Sequence, residues 1–327
     1  MKYDFKFYEN ELYPELIRIV KNSYEWEYTP VGISRIEFSD SLNKIFCDSA
    51  TSWEKTVGCY LDDNKLVACV WNEGCYDGTT FFLFDSKERA GEEDLLADMI
   101  KFAKTYGVGY KNDGKTRFIN LFIPSWNKKL MLVAEKYGLI KGEWNEKINI
   151  FPFKEKQYDV KLPEGYSIID GNVSTDVQLA NVHRHSFGYG INDRATEYGH
   201  KAFFSVRQKK YYNKKLDLCV LDDKKRPVAM AIIWYDEVMP YCELEPLGVC
   251  WWERRKGIGS AILYEAMNRV INMYPKCKGM LGGDQQFYKS MGFEMKAQAT
   301  AYYWETEVFS SWEKESLYKD YGKEVKI

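Results

Sequence analysis

The stretch LGVCWWERRKGIGSAIL, residues 247–263, sets three consecutive cations and two glycines between a strand-like run and a helix-like run. Upstream, YCELEPLGVC (241–250) reads as a strand. Downstream, Ile258, Ile262, Ala266 and Val270 recur every four residues, the spacing of one helical face. The glycines therefore lie in a strand-to-helix turn. A helix N-terminus leaves amide protons unpaired and carries about half a positive charge from its aligned peptide dipoles. With no side chains at Gly257 and Gly259, an anion can approach those amides, and Arg254, Arg255 and Lys256 add full charges beside them. That combination suits a diphosphate. The spacing fits neither a GxxxxGK[ST] loop nor GxGxxG, whose last position here is Ile262.

Outward from this turn, the chain repeats itself. GCYLDDNKLVACVWNEG (58–74) and LCVLDDKKRPVAMAIIWYDE (218–237) share a Cys-x-Leu-Asp-Asp-x-Lys core and each reads as a hairpin. After the first come a strand (79–85), a helix closed by Gly107, a strand (117–123) and a helix ending at Gly138. After the second come a strand, the helix beyond Gly259, the strand KGMLGG (278–283) and a helix closed by Gly292. The same order in both halves predicts two like-folded α/β domains, 1–152 and 165–327, joined by a linker at 153–164. Ser310 three residues before Glu313 predicts a C-terminal tail helix.

LGVCWWERRKGIGSAIL resembles the acetyl-CoA-binding motif of the GCN5-related N-acetyltransferases (GNAT), Arg/Gln-x-x-Gly-x-Gly/Ala after a strand and opening a helix, met here by Arg254, Gly257 and Gly259. A second motif of that family, a tyrosine shortly before a Gly-Phe turn, is met by Tyr288 in FYKSMGF (287–293). The resemblance covers residues 165–305. Two departures stand out: Trp251 replaces the usual proline three residues before the motif arginine, and GGDQQ (282–286) replaces an asparagine before the following helix. The resemblance implies an α/β fold of two tandem GNAT-like domains, each a mixed, mostly antiparallel sheet flanked by helices. It implies an N-acetyltransferase that takes acetyl-CoA as cosubstrate. Leu247, Val249, Cys250, Arg254, Arg255, Lys256, Gly257, Ile258, Gly259, Ser260 and Tyr288 would hold the coenzyme. The first half reads FDSKERAGEEDLLADM (84–99) at the equivalent place, where Glu92, Glu93 and Asp94 suit a helix start but repel a diphosphate, so it is expected to have the fold without a cofactor site.

Acetyl transfer to an amine needs a base, an oxyanion site and a donor for the departing thiolate. Glu243 and Glu245, two apart on a strand, share a face if the strand is regular and are the candidate bases; a bulge would separate them. In the family an acidic residue on this strand often serves as the base. Backbone amides near Val249 and Cys250 are the expected oxyanion donors, and Tyr288 the general acid. His183 and His185 are two apart on a predicted helix, a poor metal spacing, and no metal is expected. The rival from another class is a non-catalytic acyl-CoA-binding or interaction module.

Of the 327 residues, 45% are hydrophobic and 29% charged, with a formal net charge of −2, which points to no nucleic-acid or membrane partner. No apolar run approaches the roughly 20 residues of a membrane span. The eight cysteines show no CxxC pairing and are read as reduced core residues of a cytoplasmic protein. A small-molecule or peptide amine bound between the domains is the expected acceptor, and the protein is expected to be a monomer or homodimer.

Overall fold

A computed structural model describes residues 2–26, 31–46, 53–75, 77–111, 113–189 and 193–307. The predicted tail helix lies outside them. The chain divides into two compact units. Unit one comprises Met1–Arg35, Phe46–Ile148 and the stretch from Lys296; unit two comprises Ile36–Ile45 and Asn149–Met295.

Unit one begins with β1 (Asp4–Phe7), α1 (Tyr13–Trp26) and the start of α2 (Ile33–Phe46). The hairpin β2 (Gly58–Asp62) and β3 (Lys65–Asn72) turns at Asp63 and Asn64, both at positive φ, a conformation short polar side chains tolerate. Then follow β4 (Thr79–Phe84), α3 (Glu93–Tyr106), β5 (Gly109–Tyr110), β6 (Thr116–Pro124), α4 (Lys128–Lys136) and β7 (Ile140–Pro152). The sheet runs β1-β2-β3-β4-β6, with β4 and β6 parallel and its other pairs antiparallel. Leu96, Met99, Ile100 and Ala103 of α3 meet Val67, Val70, Ile119 and Leu121 in its core.

Unit two repeats the plan: β8 (Ser167–Asp170), α5 (Asp176–Phe187), α6 (Asp193–Val206), β9 (Asp217–Leu221), β10 (Pro227–Trp234), β11 (Cys242–Val249), α7 (Ile258–Met273), β12 (Gly279–Gly282) and α8 (Gln286–Met291). Its sheet runs β8-β9-β10-β11-β12, parallel only between β11 and β12. Ile258, Ile262, Ala266 and Val270 are all at most 1% exposed, as their spacing predicts. Arg207, just past α6, donates to the Ser174 carbonyl, to Asp176 and to the fully buried Asp217, tying α5, α6 and β9 together.

The last strand of each half departs from the sequence reading. Residues 149–152 of β7 pair with β12, and β13 (Glu294–Glu307) pairs with β6 from Ala299↔Pro124 to Glu307↔Thr116. Ala299, Ala301 and Tyr302 are buried there. The boundary at 165–327 is therefore corrected: from Lys296 the chain completes unit one, and Ile36–Ile45 belongs to unit two. The expected linker is also not a free tether. Tyr158 exchanges two hydrogen bonds with Asn268 of α7 and stacks on Tyr264 at 5.4 Å.

Six cysteines, at 59, 69, 219, 242, 250 and 277, are free and buried, whereas Cys75 is disulfide-bonded and not reduced as expected. Among the described residues, no helix is long and apolar enough to cross a membrane, and no group of three metal-ligating side chains occurs.

Candidate active site

The site grows from the way β11 parts from β12. They pair in parallel only at Cys242↔Met280 and Glu243↔Leu281, while β11 stays with β10 as far as Val249. Beyond Glu243, no described strand pairs with the other edge of β11. The Cys250 amide donates to the Val228 carbonyl at 2.9 Å. Since an antiparallel ladder alternates residues that bond the neighbour with residues that face away, Gly248 and Cys250 turn their polar groups to β10. Leu247 and Val249 turn theirs to the open edge. The expectation for Cys250 is thus corrected: its amide is already engaged, and the available donors are those of Leu247 and Val249.

After a 3-10 turn at Trp251–Glu253, the backbone takes positive φ at Arg255 (68°) and Gly257 (80°) before α7 begins. A Cβ at Gly257 would meet nothing within 4 Å, so glycine serves the left-handed conformation here, not a tight fit. No side chain caps α7, and its first bond runs from the Ala261 amide to the Gly257 carbonyl at 3.0 Å. The amides of Ile258, Gly259 and Ser260 therefore lack intrahelical acceptors, at the positive end of the dipole. They suit an anion held by backbone N–H groups.

The three cations are not alike. Arg254 donates to the Ser186 carbonyl at 2.6 Å and the Val249 carbonyl at 3.2 Å, so it joins the end of α5 to the end of β11. Lys256 pairs at 2.9 Å with Glu253, which is 5% exposed and also accepts from the Tyr166 hydroxyl. Arg255 is exposed and makes no ion pair among the described residues. Of the three cations expected beside a diphosphate, Arg254 and Lys256 thus also hold partners within the protein.

Between Leu244 and Leu247 the register of β11 against β10 shifts by one, a bulge held by the Trp234 indole donating to the Glu245 carbonyl at 2.7 Å. Its consequence is that Glu243 is 4% exposed whereas Glu245 is open to solvent. The two carboxylates do not share the single environment that a regular strand predicts. Glu245 lies close enough to Tyr288 and Tyr189 for its charge to act on both phenols. Burial first, and then that charge, push each above the ordinary tyrosine value. Tyr288, on α8, packs edge-on against Phe287 and Phe293.

Tyr189 escaped the sequence reading. The amides of Gly188 and Tyr189 both donate to the Arg184 carbonyl, a helix-ending turn that lays the Tyr189 ring over His183 at 5.3 Å. The Phe-Gly-Tyr run after a helical pattern was the available signal. His183 is lowered to about 4 by burial, and His185 lies edge-on to Trp252 at 4.8 Å.

In unit one the start of α3 is differently furnished. Glu92 accepts from the Tyr3 hydroxyl at 2.7 Å and pairs with Lys2, while Glu93 pairs with Lys129 and Lys136, which lower it to about 2. A cavity of about 860 Å³ beside this turn is lined by Glu92, Glu93, Asp94 and Asp98, with one cation, Lys2, and with Tyr3, Tyr60 and Leu95. A diphosphate there would meet carboxylates.

Solved structures share this architecture. A GCN5-related N-acetyltransferase from Sphaerobacter thermophilus superposes with a TM-score of 0.60 at 12% identity, covering 93% of this chain and 96% of its own. A tandem GNAT protein from the clavulanic acid biosynthesis pathway gives 0.59 at 12% identity, covering 94% and 99%. A GNAT-family acetyltransferase from Colwellia psychrerythraea gives 0.54 at 11%, covering 92% and 99%. No family model matches the chain, and no curated protein matches it by sequence. The chain has the tandem GNAT fold.

Proposed function

We propose that unit two binds acetyl-CoA and transfers its acetyl group to the nitrogen of an amine. One observation carries this reading. The uncapped first turn of α7 lies at the end of the open β11 edge, and the carboxylate of Glu245 beside the phenol of Tyr288 lies along the same strand. The residues fit the coenzyme: amides at Ile258, Gly259 and Ser260 for the diphosphate, and the open edge at Leu247 and Val249 for the amide-bearing arm. When bound, the thioester supplies an activated acetyl group.

The chain's own groups then divide the work. An alkyl ammonium has a pKa near 10, so Glu245, directly or through water, takes its proton and leaves a nucleophilic nitrogen. The amides at Leu247 and Val249 present fixed dipoles to the carbonyl oxygen as the C–N bond forms. As the C–S bond breaks, the departing sulfur keeps the electron pair and takes a proton from Tyr288, while the nitrogen releases its second proton to water, which leaves a neutral amide and returns a proton to the phenol. An ordinary phenol is already neutral near pH 7, and burial with the charge of Glu245 raises Tyr288 further, so it enters the reaction protonated and able to donate. Glu243, buried below the bulge, is assigned a structural role. Arg254 positions the strand end and the α5 terminus.

The test is a coenzyme A release assay over a broad amine panel, run beside calorimetric titration with acetyl-CoA. Binding with amine-dependent thiol release supports the proposal. Binding without release from any amine leaves a non-catalytic acyl-CoA module, and absence of both removes the reading altogether.

A further inference from the structure

The sequence KKYYNKK, residues 209–215, sets two lysine pairs around two tyrosines in the connection from α6 to β9. Lys209 pairs with the buried Asp40. Lys210, Lys214 and Lys215 are exposed, and among the described residues their ammonium groups make no ion pair and no hydrogen bond. They line a cavity of about 510 Å³ together with Tyr211, Tyr235 and Tyr274, and none of its described lining residues is acidic. We infer that this cavity binds a nucleotide-sized ligand, its phosphate groups held by the three lysines and its flat ring against the tyrosines. The site is apart from the coenzyme turn, because Tyr274 follows the far end of α7, whose 16 residues span about 24 Å.

Backbone and side-chain bonds tie down the wall that carries the lysines. The Gly171 amide donates to the Lys214 carbonyl at 2.8 Å, and Arg269 donates to the Lys215 carbonyl at 2.8 Å. The Asn213 side chain accepts from the Lys215 amide at 3.0 Å and donates to the Tyr274 hydroxyl at 3.2 Å, which joins the turn to the end of α7. Tyr212 donates to the fully buried Asp217. A Cβ at Gly171 would lie 2.5 Å from the Tyr212 hydroxyl oxygen and 2.9 Å from the Lys214 carbonyl oxygen, so only glycine lets the turn close here. Tyr235 is buried against the Tyr274 ring at 4.9 Å. The nearby acids are engaged elsewhere, Asp170 and Glu265 with Arg269 and Asp217 with Arg207. Asp236 and Glu237 follow Tyr235 but do not line the cavity. The last turn of α7 brings about half a negative charge to this end, which three ammonium groups outweigh. Cations without a counter-charge above tyrosine carbon suit a multiply charged phosphate carried on a ring, and the volume falls within the roughly 300–1,000 Å³ of small-molecule sites.

The experiment is titration calorimetry of the full-length protein with ADP, pyrophosphate and adenosine, with thermal melts as the control for folding. Each titration is repeated with Gly257→Asp, which disfavours phosphate at the turn before α7, and in that background with Lys214→Gln and Lys215→Gln together or Lys210→Gln alone. At roughly 6 Å and an effective dielectric of about 40–80 each ammonium is worth about 3- to 10-fold in affinity, so K210Q should weaken ADP by about that factor and K214Q/K215Q by about 10- to 100-fold. Pyrophosphate should bind about 3- to 10-fold more weakly than ADP for want of ring contacts, and adenosine about 10-fold or more weakly for want of charge. No ADP binding, ADP binding lost in G257D, ADP affinity unchanged by the lysine substitutions in folded protein, or pyrophosphate or adenosine binding as tightly as ADP overturns the inference. The transferase reading is untouched by these outcomes, since its own test is thiol release.

Discussion

Replacing Gly257 by aspartate sets a full negative charge where the proposed site offers bare amide protons. The fold should absorb the change. The position has φ 80°, a Cβ there meets nothing within 4 Å, and aspartate is among the side chains that visit this conformation. The conformational cost is about 1 kcal/mol. At roughly 6 Å and an effective dielectric of about 40–80, one charge pair is worth about 0.7–1.4 kcal/mol, and a diphosphate carries about two charges. The sum, about 1.4–2.8 kcal/mol, weakens coenzyme A binding about 10- to 100-fold. Gly257→Ala adds no charge and should bind nearly as well as the parent protein. Titration calorimetry of all three proteins measures the effect, with denaturant melts as control, and raising the salt concentration should narrow the gap by screening. Equal affinities in folded G257D and G257A would refute the placement of the diphosphate at this turn.

Other perturbations separate chemistry from architecture. Glu245→Gln and Tyr288→Phe should each lower kcat about 100-fold or more with coenzyme affinity retained, whereas Glu243→Gln should leave the pH–rate profile unchanged; steady-state kinetics over pH decides. Arg207→Met leaves the buried Asp217 without its cation and should cost about 3–5 kcal/mol by urea denaturation. His183 takes a proton in the fold only near pH 4, but near 6.5 when unfolded. Its contribution is therefore whole above pH 6.5 and declines toward pH 4, by at most about 3 kcal/mol. His183→Phe should flatten that decline in denaturation midpoints measured between pH 7 and 4.5.

The fold was legible where periodicity speaks directly. Ile258, Ile262, Ala266 and Val270 announced the buried face of α7, and two Asp-Asp turns announced the repeat. What escaped depends on backbone partners, which leave no mark in side-chain identity. Arg254 is spent on the carbonyls of Ser186 and Val249, and the Cys250 amide on Val228. The bulge that separates Glu243 from Glu245 is likewise a matter of register, not composition. The alternating residues of β13 mark it as a strand without naming its sheet, since pairing with β6 is a choice among edges that local pattern does not encode.

The crossing over of the terminal strands bears on biosynthesis and on dissection of the gene product. Residues 299–307 of β13 supply the neighbour of β6, so nearly all of the chain must emerge from the ribosome before unit one can acquire its full complement of strands. A cut in the middle of the sequence would not release two independent modules. Trimming the chain before residue 299 would damage the half that lies farther from it in sequence.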